Sequence, residues 1–362
     1  MLTRITDPAR GARNLLLHCA AARRGERLLV AYEPTDHGYY GTEALHFIRQ
    51  AAEEIGLAVT TMNVGFTPDA PCLKADLLAR METADITVFL ARLGDQLRFS
   101  DMPKNKRVVV SFALDAELLG SPFGTTHHAA MQGLTARVGD ALRAARRVRV
   151  TCARGTDFSG TPHLPPAGVP GDTTLMRFPL SVFQPVPART FSGRVALCGF
   201  LTGTGSLYYE GYTLEFAGQV HAVFERGRLS GFEGAPGDVA AAEAQYTRVA
   251  ARFGIDRNAI HSWHAGIHPG CGYPWPACQN FERWGGAAFG NPRLLHFHTC
   301  GAYAPGEISW NMVDPTIEID GIAVWENGVF HADRLAGGAD ILARYPCAAA
   351  TFADPDRRVG LP

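Results

Sequence analysis

Between Arg27 and Arg149 the sequence alternates short β-branched apolar runs with longer amphipathic stretches, and this alternation restricts the fold more than any other feature. RLLVAYEP (27–34) precedes TEALHFIRQAAEEIG (42–56), and LAVTTMNV (57–64) precedes PCLKADLLARMETA (71–84). DITVFLA (85–91) and RVVVSFA (107–113) are further apolar runs, and an Ala/Arg-rich helix, HHAAMQGLTARVGDALRAARRV (127–148), closes the series. Strands without a polar face need cover on both sides, so the pattern predicts a parallel sheet with helices on both faces.

Near residue 150 the texture changes. VRVTCARGTDFSG (148–160) reads as a strand entering a loop, and TPHLPPAGVPGDTT (161–174) is rich in Pro and Gly. Short strands with glycine turns follow: RVALCGF (194–200), TLEFAG (213–218), QVHAVFERGRLSGFEG (219–234) and LLHFHTC (294–300). One helix, AAAEAQYTRVAARFG (240–254), interrupts them, and TIEIDGIAVWENGVF (316–330) carries Asp-Gly and Asn-Gly at hairpin spacing. A chain of 362 residues exceeds the roughly 250–300 at which one core stops growing. Two domains are expected: an α/β Rossmann-like domain over 1–165 and a mainly antiparallel α+β metal-binding domain over 166–362.

Charge excludes one class of partner. Lys plus Arg (34) balances Asp plus Glu (35), without the basic excess of a nucleic-acid binder. No apolar run approaches the roughly 20 residues of a membrane-spanning helix. The apolar stretch from Leu15 to Ala22 is followed by Arg23, Arg24 and Arg27, which argues against a signal peptide. A cytoplasmic protein with no membrane partner is expected; a homo-oligomer stays open. The eight cysteines form no CxxC pair and read as reduced, buried, small apolar residues. The first half has neither GxGxxG nor a Walker-type loop, and Gly38 and Gly41 in DHGYYGTE read as a strand-to-helix turn.

The histidines are unevenly spread. His261, His264 and His268 fall within eight residues, and His296 and His298 follow in LLHFHTC. On a strand, residues i and i+2 share a face, so His296 and His298 point together while Phe297 packs the opposite way. Two imidazoles on one strand face supply two cis ligands to an ion, and a third from a nearby loop completes a facial set. Hydrogen-bonded core histidines are the alternative. The third ligand is sought in HSWHAGIHPGCGYP (261–274), whose Gly and Pro density predicts a loop. His127 and His128 are expected to be exposed at a helix start, and His221 to be structural. Trp263, Trp275, Trp284 and Trp310, four of the five tryptophans, suggest a dry aromatic-lined cavity, with core packing as the alternative.

Five segments, in order, resemble the family that joins thermophilic metalloaminopeptidases of the aminopeptidase T and S type to 2,5-dihydroxypyridine 5,6-dioxygenase, an iron enzyme. They are GTDFSG (155–160), GYTLEFAGQVHAVFERGRLSGFEG (211–234), HAGIHPG (264–270), HFHTCG (296–301) and EIDGIAVWENG (318–328). The similarity spans roughly 150–335 and is weaker in the first half. It implies metal ligands at His264, His296 and His298. At the position of His264 the peptidases have a Glu within a two-metal set, whereas the dioxygenase has a His. The further peptidase ligands have no counterpart in FERWGGAAFGNPRLL (281–295). The family's second strand ligand is an Asp, replaced here by His298, so three neutral ligands leave the ion with one more unit of positive charge. The dioxygenase has a His after its Asp-Phe; Ser159 stands there here, with His163 four residues on as a stand-in.

The resemblance implies a mononuclear non-haem Fe(II)-dependent oxygenase of the ring-cleaving dioxygenase type, acting with O2 on a small electron-rich aromatic or heteroaromatic substrate. His268, Glu307 and His163 are the expected acid/base groups. The alternatives are a Zn-dependent, aminopeptidase-like hydrolase using Glu233 or Glu307 as base, an iron enzyme that tailors a peptide-derived substrate, and a non-catalytic binding protein. Asp314, Glu318 and Asp320 alternate into a hairpin and read as solvated face and turn, with Asp314 the reserve carboxylate ligand.

Overall fold

The structure, a computed structural model, describes residues 6–68, 71–166, 173–203 and 208–361. Packing divides the chain into two units that interleave along the sequence: Met1–Gln132, Pro170–Ser181 and Arg344–Asp356, then Gly133–Val169, Val182–Ala343 and Arg357–Pro362. The single cut expected at 165/166 needs correcting. The 148–160 segment pairs into the second unit's sheet, and a short strand beyond 170 returns to the first. That strand, Met176–Phe178, has too few residues to show a period.

The first unit carries the expected parallel sheet. Its order is Ala58–Asn63, Arg27–Tyr32, Ile86–Leu90, Arg107–Ser111, Met176–Phe178, and every pairing is parallel. Ile86–Leu90 is buried at every residue, Thr87 included, as a strand without a polar face requires. Helix Thr42–Ile55 buries Ala44, Ile48 and Ala51 and ends at Gly56, whose φ of 86° suits glycine. Gly38 and Gly41 form the strand-to-helix turn read from sequence: Gly38 is left-handed and Gly41 is the N-cap. A buried ion pair, Glu33 to Arg92 at 3.0 Å, lies just past the carboxyl ends of two strands.

His127 and His128 are not exposed. His127 stacks on His18 (centroids 4.0 Å apart) and meets Tyr345 (4.8 Å), while His128 is buried with its N–H donating to Asn14 Oδ1. Seen as a lone helix start, the pair has no reason to be covered; a tertiary partner from the N-terminal segment covers it. All eight cysteines are free, but Cys72 and Cys278 are exposed rather than buried.

The second unit holds two sheets. One has eight strands running Arg228–Glu233, His221–Glu225, Ser192–Ala196, Asp157–Gly160, Val148–Thr151, Thr316–Ile319, Ile322–Glu326, Val329–Phe330. Its neighbours are antiparallel, and Asp320-Gly321 and Asn327-Gly328 turn its hairpins with positive φ at both residues. The other has six strands in the order Leu214–Glu215, Phe200–Thr202, Glu307–Val313, Leu294–Cys300, Ile260–Ala265, Val186–Pro187.

Phe158 and Phe224 of the eight-stranded sheet meet Trp263, Phe297 and Trp310 of the six-stranded one at centroid separations of 5.1–5.9 Å. Each such side chain contributes about 1.5–3 kcal/mol by leaving water, which fixes the register of the strands that carry them. One face of the 294–300 strand is thereby committed to the aromatic core. Its other face is left to the histidines. No helix among the described residues is long and apolar enough to cross a membrane.

Candidate metal centre

The three histidines come together on adjacent antiparallel strands. His264 lies directly opposite His296 in register, and His298 is two residues along the same strand. Residue 264 is therefore not in a loop as the Gly and Pro density suggests; the strand runs to Ala265 and the irregular segment begins at Gly266. A Cβ on Gly266 would sit 2.1 Å from the Asn291 carbonyl oxygen, so only glycine lets the chain turn here. That turn anchors the strand end carrying His264, helped by the Gly266 N–H to Leu294 O bond (3.0 Å) and Trp325 Nε1–H to Gly266 O (2.9 Å).

Among the described residues, His264, His296 and His298 are the one group of three or more such side chains placed to hold an ion, with ligand atoms within 4.8 Å of one another. Nε2 of His264 is 2.6 Å from Nε2 of His296 and 3.2 Å from Nε2 of His298. Cis ligands at about 2.1 Å from an ion stand about 3 Å apart. His264 and His296 are buried, and His298 is half-buried.

The outer contacts decide the tautomers. Nδ1 of His264 is 2.8 Å from the Phe183 carbonyl oxygen, which can only accept, so Nδ1 carries the hydrogen and Nε2 keeps its lone pair. Nδ1 of His298 is 2.7 Å from Oε1 of the fully buried Glu307, a charge contact outside hydrogen-bond alignment, and the carboxylate beside it favours the hydrogen on Nδ1 and the lone pair on Nε2. His296 can donate one hydrogen to His264; His298 then faces the same nitrogen with a lone pair of its own. A shared cation resolves that repulsion, so the donor set fits a metal ion. The ring of Phe289 stacks on His296 at 4.3 Å, covering one side of the site.

Glu307 changes the electrostatics expected from the His298 replacement. Its carboxylate stands behind the His298 ring, 2.7 Å from Nδ1. Its negative charge lies behind that ring, so it would act on a bound ion only through His298. It is a positioning residue in this geometry rather than the acid/base group read from sequence.

Of the other expected acid/base groups, His268 is buried just beyond the 260–265 strand, its Nδ1 accepting the Gly270 N–H (3.2 Å). A neutral His268 ring therefore carries its proton on Nε2. His163 is exposed on the coil after Asp157–Gly160 and makes no hydrogen bond or ring contact among the described residues, so it is not brought to the histidines. The reserve carboxylate Asp314 is bound by Arg293 through two contacts of 2.6 Å. Glu233 is exposed in the other sheet, 3.6 Å from Arg194. His221 and His261 bond to the carbonyls of Arg154 and Cys300 (3.0 Å each) and are structural.

The tryptophans do not wall the site. Trp263 and Trp310 face the aromatic core, Trp284 is fully buried against Phe200 and Phe289, and Trp275 lies under Arg283. Phe183 and Phe289 are the aromatic neighbours of the histidines. Sequence reasoning also missed Ser309 and Asn311, which stand opposite His298 and His296 in register and share their face. The polar residues at 307, 309 and 311, alternating with Ile308, Trp310 and Met312, carry that signal.

No protein-family model matches the sequence, and no curated protein does. Solved structures do match over nearly the whole chain. The chain is similar to 2,5-dihydroxypyridine dioxygenase from Pseudomonas putida KT2440, with a TM-score of 0.58 at 15% identity over 90% of this chain and 97% of that one. It is also similar to wild-type AmpT from Thermus thermophilus, with a TM-score of 0.50 at 12% identity over 89% of this chain and 98% of that one. The chain has the fold of these two proteins. The resemblance drawn from five sequence segments is thus met at the level of the fold, and it extends through the first half, where the sequence similarity was weaker.

Proposed function

We propose that the protein is a mononuclear, three-histidine Fe(II) oxygenase acting with O2 on a small, electron-rich, anionic aromatic or heteroaromatic substrate. The observation that carries this reading is the donor set: three imidazoles converging through Nε2, with the Glu307 carboxylate behind His298 rather than among them. Bound there, Fe(II) supplies one-electron chemistry toward O2 beside a chelated substrate.

The chain's own residues do the rest. Nε2 of His264, His296 and His298 would hold the ion. The Phe183 carbonyl and Glu307 hold two of the rings in the tautomer that binds. Burial of His264 and His296, with Phe289 over the latter, keeps water from that side. His268 presents a proton on Nε2 for transfer within the buried segment. The likeness in fold to a dioxygenase supports this reading without fixing the substrate.

The likeness to AmpT keeps a Zn hydrolase as the second reading. It is less well supported, because Glu307 is engaged by His298 and Glu233 belongs to another sheet, so neither is placed as a water-activating base. Purification without oxygen, followed by metal analysis and O2-uptake measurements on catechols and hydroxypyridines, separates the two. The oxygenase reading expects one iron per chain and O2 consumption that His296→Ala abolishes. Turnover of an amide substrate without O2 by zinc-loaded protein contradicts it.

A further inference from the structure

We infer that Asn311 is a specificity-determining residue: its side-chain N–H donates a hydrogen bond to an anionic oxygen of the substrate bound at the three-histidine site. The inference rests on the mononuclear site proposed above and adds to it the group that recognises the substrate's charge.

Two polar rows cross the six-stranded sheet on the histidine face. Asn311, His296 and His264 are successive register partners, as are Thr202, Ser309, His298 and Ser262. Directly opposed side chains on one face have Cβ atoms about 4.5–5.5 Å apart, so the Asn311 amide lies beside His296 with no element between. Asn311 is fully buried. Its Oδ1 accepts from Ser309 Oγ at 3.3 Å, and its Nδ2 has no hydrogen-bond partner.

A buried amide donor left unsatisfied is costly, and native proteins keep one mainly where a ligand, ion or water completes it. The 307–313 strand also donates its backbone to neighbours normally, so the vacancy is specific to this side chain.

The chemistry of the expected partner follows from the surroundings. A divalent ion on three neutral imidazoles keeps its positive charge, and a nearby N–H donor adds to it. Both favour a deprotonated oxygen and disfavour a cationic or purely donor group. An aromatic chelate with adjacent oxygens, one bridging toward the ion and one accepting from Nδ2, fits the pair of groups. A hydrogen bond to a charged acceptor is stronger than one to a neutral group.

The test uses the Zn(II)-loaded full-length protein and 4-nitrocatechol, whose visible band shifts when it binds as the anion, so no turnover is required. Wild type is expected to bind with a shifted band. Asn311→Ala should weaken binding about 10–100-fold. Asn311→Asp, of the same shape, should weaken it further by facing the anion with a carboxylate. Ser309→Ala, which frees Oδ1, should weaken it less than either. Zn(II) affinity, read by competition with a chromophoric chelator, should stay within threefold in Asn311→Ala and Ser309→Ala and should not fall in Asn311→Asp, whose added carboxylate attracts the ion, which separates recognition from loss of fold or metal. Unchanged nitrocatechol affinity in Asn311→Ala and Asn311→Asp overturns the role of Asn311 while leaving the metal site standing. Zinc-loaded wild type that fails to bind nitrocatechol overturns this inference and the chelated-substrate reading together. Wild type that binds no zinc overturns the metal site itself.

Discussion

Replacing Glu307 by Gln tests whether the buried carboxylate acts on the metal through His298. Gln keeps the shape and a polar oxygen beside Nδ1, where the carboxylate oxygen now stands 2.7 Å away, and removes only the charge. An ion on Nε2 would stand about 6–7 Å from that oxygen, where a single negative charge attracts a divalent cation by about 5 kcal/mol at an effective dielectric constant of about 20. That is the ceiling. Outer carboxylates that orient a histidine ligand are usually worth about 10–100-fold in affinity, or about 1.4–2.7 kcal/mol. Glu307 is fully buried, so the expected loss for Glu307→Gln lies near the upper end of this range. Glu307→Ala also strips His298 Nδ1 of its polar neighbour and should lower the stability of the apo protein by a further 1–3 kcal/mol or so. Zn(II) affinity measured by chelator competition at constant pH, with urea unfolding of the apo proteins, reads both effects. A Glu307→Gln protein that binds zinc within twofold of wild type refutes the reasoning.

Three other perturbations have defined outcomes. His264→Ala and His296→Ala should each abolish the metal-dependent rise in melting temperature. In wild type, an ion at a thousandfold excess over its Kd stabilises by about 4 kcal/mol, read by calorimetry with and without EDTA. Gly266→Ala should cost about 1–3 kcal/mol by forcing a methyl against the Asn291 carbonyl, and should weaken metal binding because the strand end at His264 must shift; equal melting temperatures contradict this. Burial, reinforced by the neighbouring His127, pushes the His128 imidazole down from its ordinary 6.5 to about 4. The unfolded chain then binds this proton more readily than the folded one, so stability rises with pH. The contribution is complete above about pH 6.5 and is lost as pH falls toward 4, amounting to about 3 kcal/mol. Urea unfolding at pH 7.5 and 4.5 should show His128→Gln losing correspondingly less than wild type, and equal losses contradict it.

The parts of this molecule that were legible in sequence are those governed by local periodicity. The largely apolar runs at 85–91 and 107–113 predicted buried parallel strands because neither alternates apolar with polar residues. The HxH at 296–298 predicted two co-facial imidazoles because strand geometry allows no other arrangement. The Asp-Gly and Asn-Gly turns predicted their hairpins because both positions need positive φ. What was hidden depends on tertiary contact. His264 sits in a strand although GIHPG follows it, since pairing with residues 294–300 overrides local composition up to Ala265. The Phe183 carbonyl that sets the His264 tautomer comes from 81 residues away in sequence, and no side-chain pattern announces it. Glu307 was visible as a candidate, but its role could not be assigned until its carboxylate was seen against His298. The interleaved units were hidden for the same reason: a three-residue strand and a C-terminal helix return to the first unit with no local signal of where they pack.

The central claim is that one ion is bound through Nε2 of His264, His296 and His298, with no carboxylate in the ligand set. Anomalous diffraction at the iron and zinc edges, on crystals of protein purified without oxygen, tests it most directly. The account predicts a single iron peak with three nitrogen ligands at about 2.0–2.2 Å. A peak ligated by Asp314 or Glu307, or a pair of ions, contradicts it.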